Sequence, residues 1–312
     1  MQWQEVPDPE PGPGEVLIEV SATAVNRADV LQRMGFYPPP PGASDILGLE
    51  CSGIITAVGP DVDDSRIGTA VCALLTGGGY AQRVVVPVGQ VMTLPESIDV
   101  IKAASIPEVA CTSWSNLVDV AGMAAGDFVL LHGGAGGIGT FSIQLARAIG
   151  ATVGVTAGSA EKLAICHDLG AEVLINYNNE DFVEVVKYVT SGRGADIILD
   201  NMGAKYLQRN VDALAVDGRL VVIGMQGGIK AELNLATLLS KRGEIHATSL
   251  RSRTVEQKSE ICADVVDHVW PMIEIGRIRP IVDSIMPISD VAAAHQRMED
   301  SNHVGKIILT VD

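Results

Sequence analysis

Along the first third of the chain, apolar and polar positions alternate. Val16, Ile18 and Val20 lie two apart, and the segments GLECSGIITAVG, TAVCALL and YAQRVVVP repeat short apolar runs broken by Gly, Pro and Asp. A period of two puts such side chains on one face of a pleated strand, so residues 15–107 predict a β-rich region. The run YPPPPGAS from Tyr37 to Ser44 interrupts it. Prolines cannot donate backbone hydrogen bonds, so this run predicts an extended loop able to rim a cleft.

The period changes near residue 110. Apolar runs at residues 128–131, 153–156, 173–175, 197–199, 220–223 and 245–247 alternate with helix-length segments, which predicts a doubly wound parallel sheet. After the first run, Ile138, Phe141, Leu145 and Ile149 recur every three or four residues and share a helical face that stops at Gly150. The next helix is expected to start at Ser159 as its N-cap and to end at Gly170. Beyond Leu250 come an acid-rich helical segment and a terminal strand at residues 307–311. That strand needs a sheet to join, and the N-terminal β region is the simplest. The α/β unit, residues 110–247, is then inserted in a discontinuous domain of residues 1–109 and 248–312. The cleft between two such domains is the expected active site.

Directly after the first apolar run, Gly134, Gly136 and Gly139 satisfy G-x-G-x-x-G at the start of the predicted helix. Glycines there permit a tight turn and close backbone approach, and the helix N-terminus faces a pyrophosphate; Gly134, Gly136, Gly137, Ile138 and Gly139 are the expected cradle. The second run ends in Thr156-Ala157-Gly158-Ser159, with no acid to bind ribose hydroxyls. A 2′-phosphate is therefore not repelled, and Ser159, Lys162 and Tyr177 can donate to it, which favours NADPH over NADH. Glu161 beside Lys162 has the wrong sign and argues the other way. Gly158, Asn201, Gly224 and Met225 complete the expected cofactor-binding set, with Lys306 and Arg253 reaching toward the adenine end.

Composition narrows the partners. A chain of 312 residues has room for two domains, and 47% apolar with 19% charged residues suits compact structure rather than disorder. The net charge of −16 opposes nucleic-acid phosphates and anionic lipid, so neither is expected as a partner. The opening MQWQEVPDPEPGPGEV lacks a basic stretch followed by an apolar one, and no apolar run reaches about 18 residues, so a soluble cytoplasmic protein is expected. Cys51, Cys72, Cys111, Cys166 and Cys262 are scattered without metal-cluster spacing and predict reduced, mostly buried thiols. His132 and His295 stand alone and are expected to be structural.

Asn26-Arg27-Ala28-Asp29, YPPPPGASDILGLECSG, LPES, AGGIG, VTAGS, INY, SLRSR and GKIIL occur in one order. Over nearly its whole length the chain resembles the zeta-crystallin-like quinone oxidoreductases, zinc-free members of the medium-chain dehydrogenases/reductases. The resemblance implies an α/β protein with a GroES-like β-rich catalytic domain and an inserted Rossmann domain. It also implies NADPH as reductant, small quinones as substrates, and a homodimer formed through the nucleotide domains. It marks Asn26, Tyr37 and Arg251 as the polar residues beside the substrate, where they would polarise its carbonyl. Leu49 stands in Gly-Leu-Glu where zinc-dependent relatives carry His, and their four-cysteine lobe is missing, so no metal is expected. Two further departures are Leu31, where some relatives have a second cleft tyrosine, and the apparent absence of the first β-hairpin. Other functions compatible with the motifs are reduction of conjugated double bonds in enals or enones, and an NADPH-binding structural or RNA-binding role with little turnover. The acidic composition opposes RNA.

Overall fold

The structure is a computed structural model that describes residues 1–311. The chain forms two compact units, one of Met1–Cys111 together with the segment from Leu250 onward, the other of Thr112–Ser249. In chain order the first unit supplies β1 (Glu15–Ala24), β2 (Glu50–Val58), β3 (Ala70–Leu74), β4 (Arg83–Pro87) and β5 (Val91–Thr93). The second supplies β6 (Phe128–His132), β7 (Thr152–Ala157), β8 (Val173–Asn176), β9 (Ala195–Asp200), β10 (Leu214–Val222) and β11 (Glu244–Ala247). The chain then returns to the first unit with β12 (Val282–Pro287) and β13 (Lys306–Thr310).

The β-rich unit is built on a sheet of order β12-β13-β1-β2-β3-β5, with β4 also paired to β1. The terminal strand finds its sheet here: β13 runs antiparallel to β1, Ala22 opposite Thr310 and Ala24 opposite Ile308. The alternation of β1 has the expected consequence, since Val16, Ile18 and Val20 are buried and pack with Ile55, Val71, Val84 and Val86.

The α/β unit has six parallel strands in the order β11-β10-β9-β6-β7-β8. Chain order reverses between β6 and β9, so the loops leaving these two strands diverge and open a crevice at their carboxyl ends. Covered strands read as continuous apolar runs, and Leu130, Ile198, Leu220 and Phe182 form one buried cluster. The helix Gly137–Ile149 follows β6, burying Phe141, Ile143 and Leu145; Ile138 and Ile149 at its ends are only half-buried. It closes at Gly150, whose φ of 100° is left-handed and suits glycine. Strand β10 starts earlier than its apolar run predicts, at Leu214, and its pairing with β9 shifts register between Leu214 and Arg219. Asp217 in that irregular stretch has a φ of 62°. A polar, kinked strand entry carries no periodic signal. No helix of the described residues is long and apolar enough to cross a membrane.

Candidate cofactor and substrate sites

In the α/β unit the predicted residues converge on the carboxyl ends of the parallel strands. Gly133 leaves β6 with a φ of 70°, and Gly136 caps the helix in extended conformation. Gly139 is required by packing: a Cβ there would lie 2.4 Å from the carbonyl oxygen of Gly133 and 2.5 Å from that of Gly134. Helix and loop can touch only without that side chain. The first turn of the helix contains no acidic residue, so its N–H groups and the positive end of its dipole remain suited to an anion. From β9, Asn201 reaches the same loop, its Nδ2 lying 2.6 Å from where a Gly133 Cβ would be. Its buried Oδ1 has no hydrogen-bond partner among the described residues. Gly224 packs against the Asn201 backbone, and the neighbouring Met225 is exposed. An orphaned buried acceptor beside a glycine-lined helix N-terminus fits a dinucleotide, whose hydroxyl or amide groups can supply the missing donor.

At the ends of β7 and β8, Tyr177 lies over Gly158, where a Cβ would come within 2.4 Å of the phenol oxygen. Ser159 caps the next helix, Ala160–Asp168, by accepting from the Lys162 backbone N–H at 3.3 Å. Gly158, Ser159, Lys162 and Tyr177 are thus neighbours at an open strand end, with Tyr177 about half exposed. Glu161 shares this end. A hydrogen bond from its own backbone N–H, and then one from the Ser159 hydroxyl, hold its carboxyl below the usual range. Asp200 closes β9 by accepting from the N–H groups of Met202 and Gly203 at 2.8 and 2.9 Å, while burial pushes its carboxyl up to about 6.

The β-rich unit treats its predicted residues differently. Asn26 was expected to donate to a substrate carbonyl, but its amide donates to Glu50 Oε1 at 2.8 Å and to the Ala24 carbonyl at 3.3 Å. Its Oδ1 accepts from Lys306 Nζ at 2.7 Å. Both ends of the side chain are committed. Lys306 was expected at the adenine end of the cofactor; instead its buried ammonium pairs with Glu50 at 2.7 Å. A buried charge stays with the partner that offsets its lost hydration. Arg251 is likewise occupied: Nε donates to the Thr76 carbonyl (2.8 Å), Nη2 to Gln32 Oε1 (2.8 Å) and Nη1 to the Tyr37 carbonyl (3.4 Å). Its guanidinium lies 5.3 Å from the Tyr37 ring centre. The fold therefore brings Tyr37 to Arg251 and Asn26 to Lys306, and uses Asn26, Arg251 and Lys306 as struts rather than as free donors.

Two residues that the sequence reading passed over organise this region. Glu50, fully buried, also accepts from the Glu108 N–H at 2.9 Å. Asp29 accepts from the N–H groups of Asn26 (2.8 Å) and Gly48 (3.1 Å) and from the Tyr80 hydroxyl (3.3 Å). Burial outweighs these bonds and the charge of Lys306, raising its carboxyl to about 6. His295 Nε2 is 3.0 Å from the Tyr80 oxygen. A neutral imidazole can donate through Nε2 to Tyr80, which donates to Asp29, while the buried Nδ1 of His295 has no partner among the described residues. Asp29 had a sequence signal, because Asn-x-x-Asp before an apolar run is a helix-start pattern. Leu49 is buried, and no group of three or more His, Cys, Asp or Glu among the described residues could hold a metal ion.

The alcohol dehydrogenase GroES-like domain model matches residues 12–96, and the zinc-binding dehydrogenase model matches residues 137–265. The chain is 31% identical to the 2-haloacrylate reductase of Burkholderia sp. over 98% of this chain and 94% of that protein. It is 30% identical to the phthioceranic/hydroxyphthioceranic acid synthase of Mycobacterium tuberculosis over 96% of this chain, yet spans only 14% of that synthase's length. Among solved structures, a mycobacterial protein complexed with NADPH superposes with a TM-score of 0.87 at 30% identity, covering 98% of this chain and 94% of that one. A mycobacterial quinone oxidoreductase gives 0.84 at 30%, with the same coverage. The CurK enoyl reductase gives 0.88 at 27%, covering 100% of this chain and 95% of that one. Two family models in this order, and a reductase matched almost end to end, lead to one assignment: the chain belongs to the medium-chain dehydrogenase/reductase family of oxidoreductases.

Proposed function

We propose that the protein is an NADPH-dependent, metal-independent reductase of electrophilic conjugated acceptors, with small quinones as its first substrates. The observation that carries the cofactor choice is the end of β7. Ser159, Lys162 and Tyr177 gather there, and no carboxylate ends the strand where ribose hydroxyls would be read; Glu161 lies further on, in the first turn of the next helix. NADPH, when bound, supplies the hydride. The glycine loop holds its pyrophosphate, Asn201 accepts from it, and Ser159, Lys162 and Tyr177 receive the 2′-phosphate.

The substrate class follows from what the β-rich unit withholds. Asn26 and Arg251 are satisfied internally, so the substrate must be electron-poor enough to accept hydride without a strong positioned acid. A quinone meets that condition, its proton following from water. Tyr37 remains the side chain best suited to orient the ring. The names of the haloacrylate and enoyl reductase relatives support a second reading, hydride addition to a conjugated carbon–carbon double bond. A homodimer through the α/β unit is supported by its edge strand β11 and the exposed Ile229, Leu235 and Leu239.

Parallel NADPH-oxidation assays with 9,10-phenanthrenequinone and 2-hexenal, repeated with NADH, test both choices. Faster turnover of the quinone with NADPH is expected. A large preference for the alkenal replaces quinone with the second reading, and a preference for NADH overturns the cofactor assignment.

A further inference from the structure

The β-rich unit contains a cleft of about 640 Å³ whose chemistry the reductase reading leaves unused. Four cations, Arg83, Arg251, Arg253 and Lys258, line it against a single acid, Glu15. This is a local reversal of sign in a protein of net charge −16. Arg83 is neutralised by Asp8. The other three take part in no salt bridge among the described residues.

Their surroundings make this more than a solvated charged face. Lys258 is only 4% exposed, and its ammonium donates to the neutral Thr76 Oγ1 at 2.5 Å. Arg251, 6% exposed, meets only neutral acceptors. The carboxylates of Asp29 and Glu108 act on Arg251, but none acts on Lys258, and a buried cation without a counter-charge is costly, a cost recovered when an anion reaches it. Arg253 is half-exposed at the mouth, with no side-chain partner among the described residues. A separate observation points to a ligand: Gln90, 2% exposed and in the wall of the same cleft, has its Oε1 without a hydrogen-bond partner among the described residues. The rest of the wall includes Leu74, Leu75, Val84 and Val86, which suit an apolar body.

We propose that this cleft binds a small organic carboxylate, its anionic head held by Lys258 and Arg253, its apolar body on the valine and leucine wall, and a hydroxyl donating to Gln90. The site lies within the β-rich unit and does not depend on the reductase reading.

Isothermal titration of the full chain with 4-hydroxybenzoate, its neutral counterpart 4-hydroxybenzyl alcohol, and inorganic phosphate tests it. The carboxylate should bind about tenfold or more tighter than either alternative, as a charge-assisted contact requires. Lys258→Gln and Arg253→Gln should each weaken the carboxylate severalfold while leaving the alcohol unchanged. Because Arg253 is half-exposed, its variant remains informative where the buried Lys258 variant fails to fold. Equal affinity for acid and alcohol overturns the proposal. So does phosphate binding as tightly as the carboxylate, which marks a bare cation patch. An Arg253→Gln variant that binds the carboxylate as tightly as the wild type also removes it.

Discussion

At the glycine loop after β6, the groups offered to a ligand are backbone amides at the start of a helix. Around Asn26 the polar groups are side chains, and they are offered to one another. The first region depends on what is absent, namely Cβ atoms and negative charge; the second depends on every partner being present. Mutations should therefore act on the two in opposite currencies, affinity in one and stability in the other.

The largest effect is expected at Glu50. Glu50→Gln leaves the Lys306 ammonium buried without its counter-charge and should cost about 3–5 kcal/mol in urea unfolding, with NADPH affinity retained in the folded protein. A stability change within error would mean that the cluster is not the strut described. Next comes Gly136. A Cβ there meets only the Gly133 carbonyl oxygen at 3.4 Å, so Gly136→Ala should bind NADPH almost normally. Gly136→Asp, by placing charge at the pyrophosphate, should weaken it on the order of 100-fold, about 2.8 kcal/mol. Calorimetric titration of both variants separates charge from bulk, and equal losses would assign the effect to bulk. Lys162→Ala should then weaken NADPH about tenfold and leave NADH unchanged; equal loss for both cofactors removes Lys162 from the phosphate pocket.

The smallest effect is that of pH on the wild-type protein, because each unit carries one group of each kind. Asp29 and Asp200 are raised to about 6, and His295 and His132 are lowered to about 4, in all four cases chiefly by burial. Between pH 6 and 4 the folded carboxyls bind protons before the unfolded ones do, which favours folding as pH falls. Over roughly the same window the unfolded imidazoles protonate first, which opposes it. The contributions of these four groups largely cancel. His295→Gln should unmask the Asp29 contribution, so its stability relative to wild type rises as pH drops from 6 to 4. An unchanged difference between the two proteins across that window would contradict the compensation.

The contrast also explains what the sequence could disclose. The parallel sheet was legible because covered strands are short apolar runs, and the loop because its spacing, strand and helix are contiguous. The entry to β10 was not, since Asp217 and Gly218 break the run. Asn26 drew attention by its motif, but its partners Glu50 and Lys306 lie 24 and 280 residues away. Whether a polar side chain is free or satisfied is settled by such distant partners, and no local pattern contains them. The same holds for Arg251, whose acceptors Gln32, Tyr37 and Thr76 belong to other segments of the β-rich unit.

The central claim is that the end of β7, where the strand closes without a carboxylate and Ser159, Lys162 and Tyr177 gather, selects the phosphorylated dinucleotide despite Glu161 in the following turn. Equilibrium titration of the wild-type protein with NADPH and NADH at matched ionic strength, followed by nicotinamide fluorescence, tests it most directly. NADPH is expected to bind at least about tenfold tighter, the scale of a charge-assisted phosphate contact. Equal affinities, or tighter binding of NADH, would contradict the account.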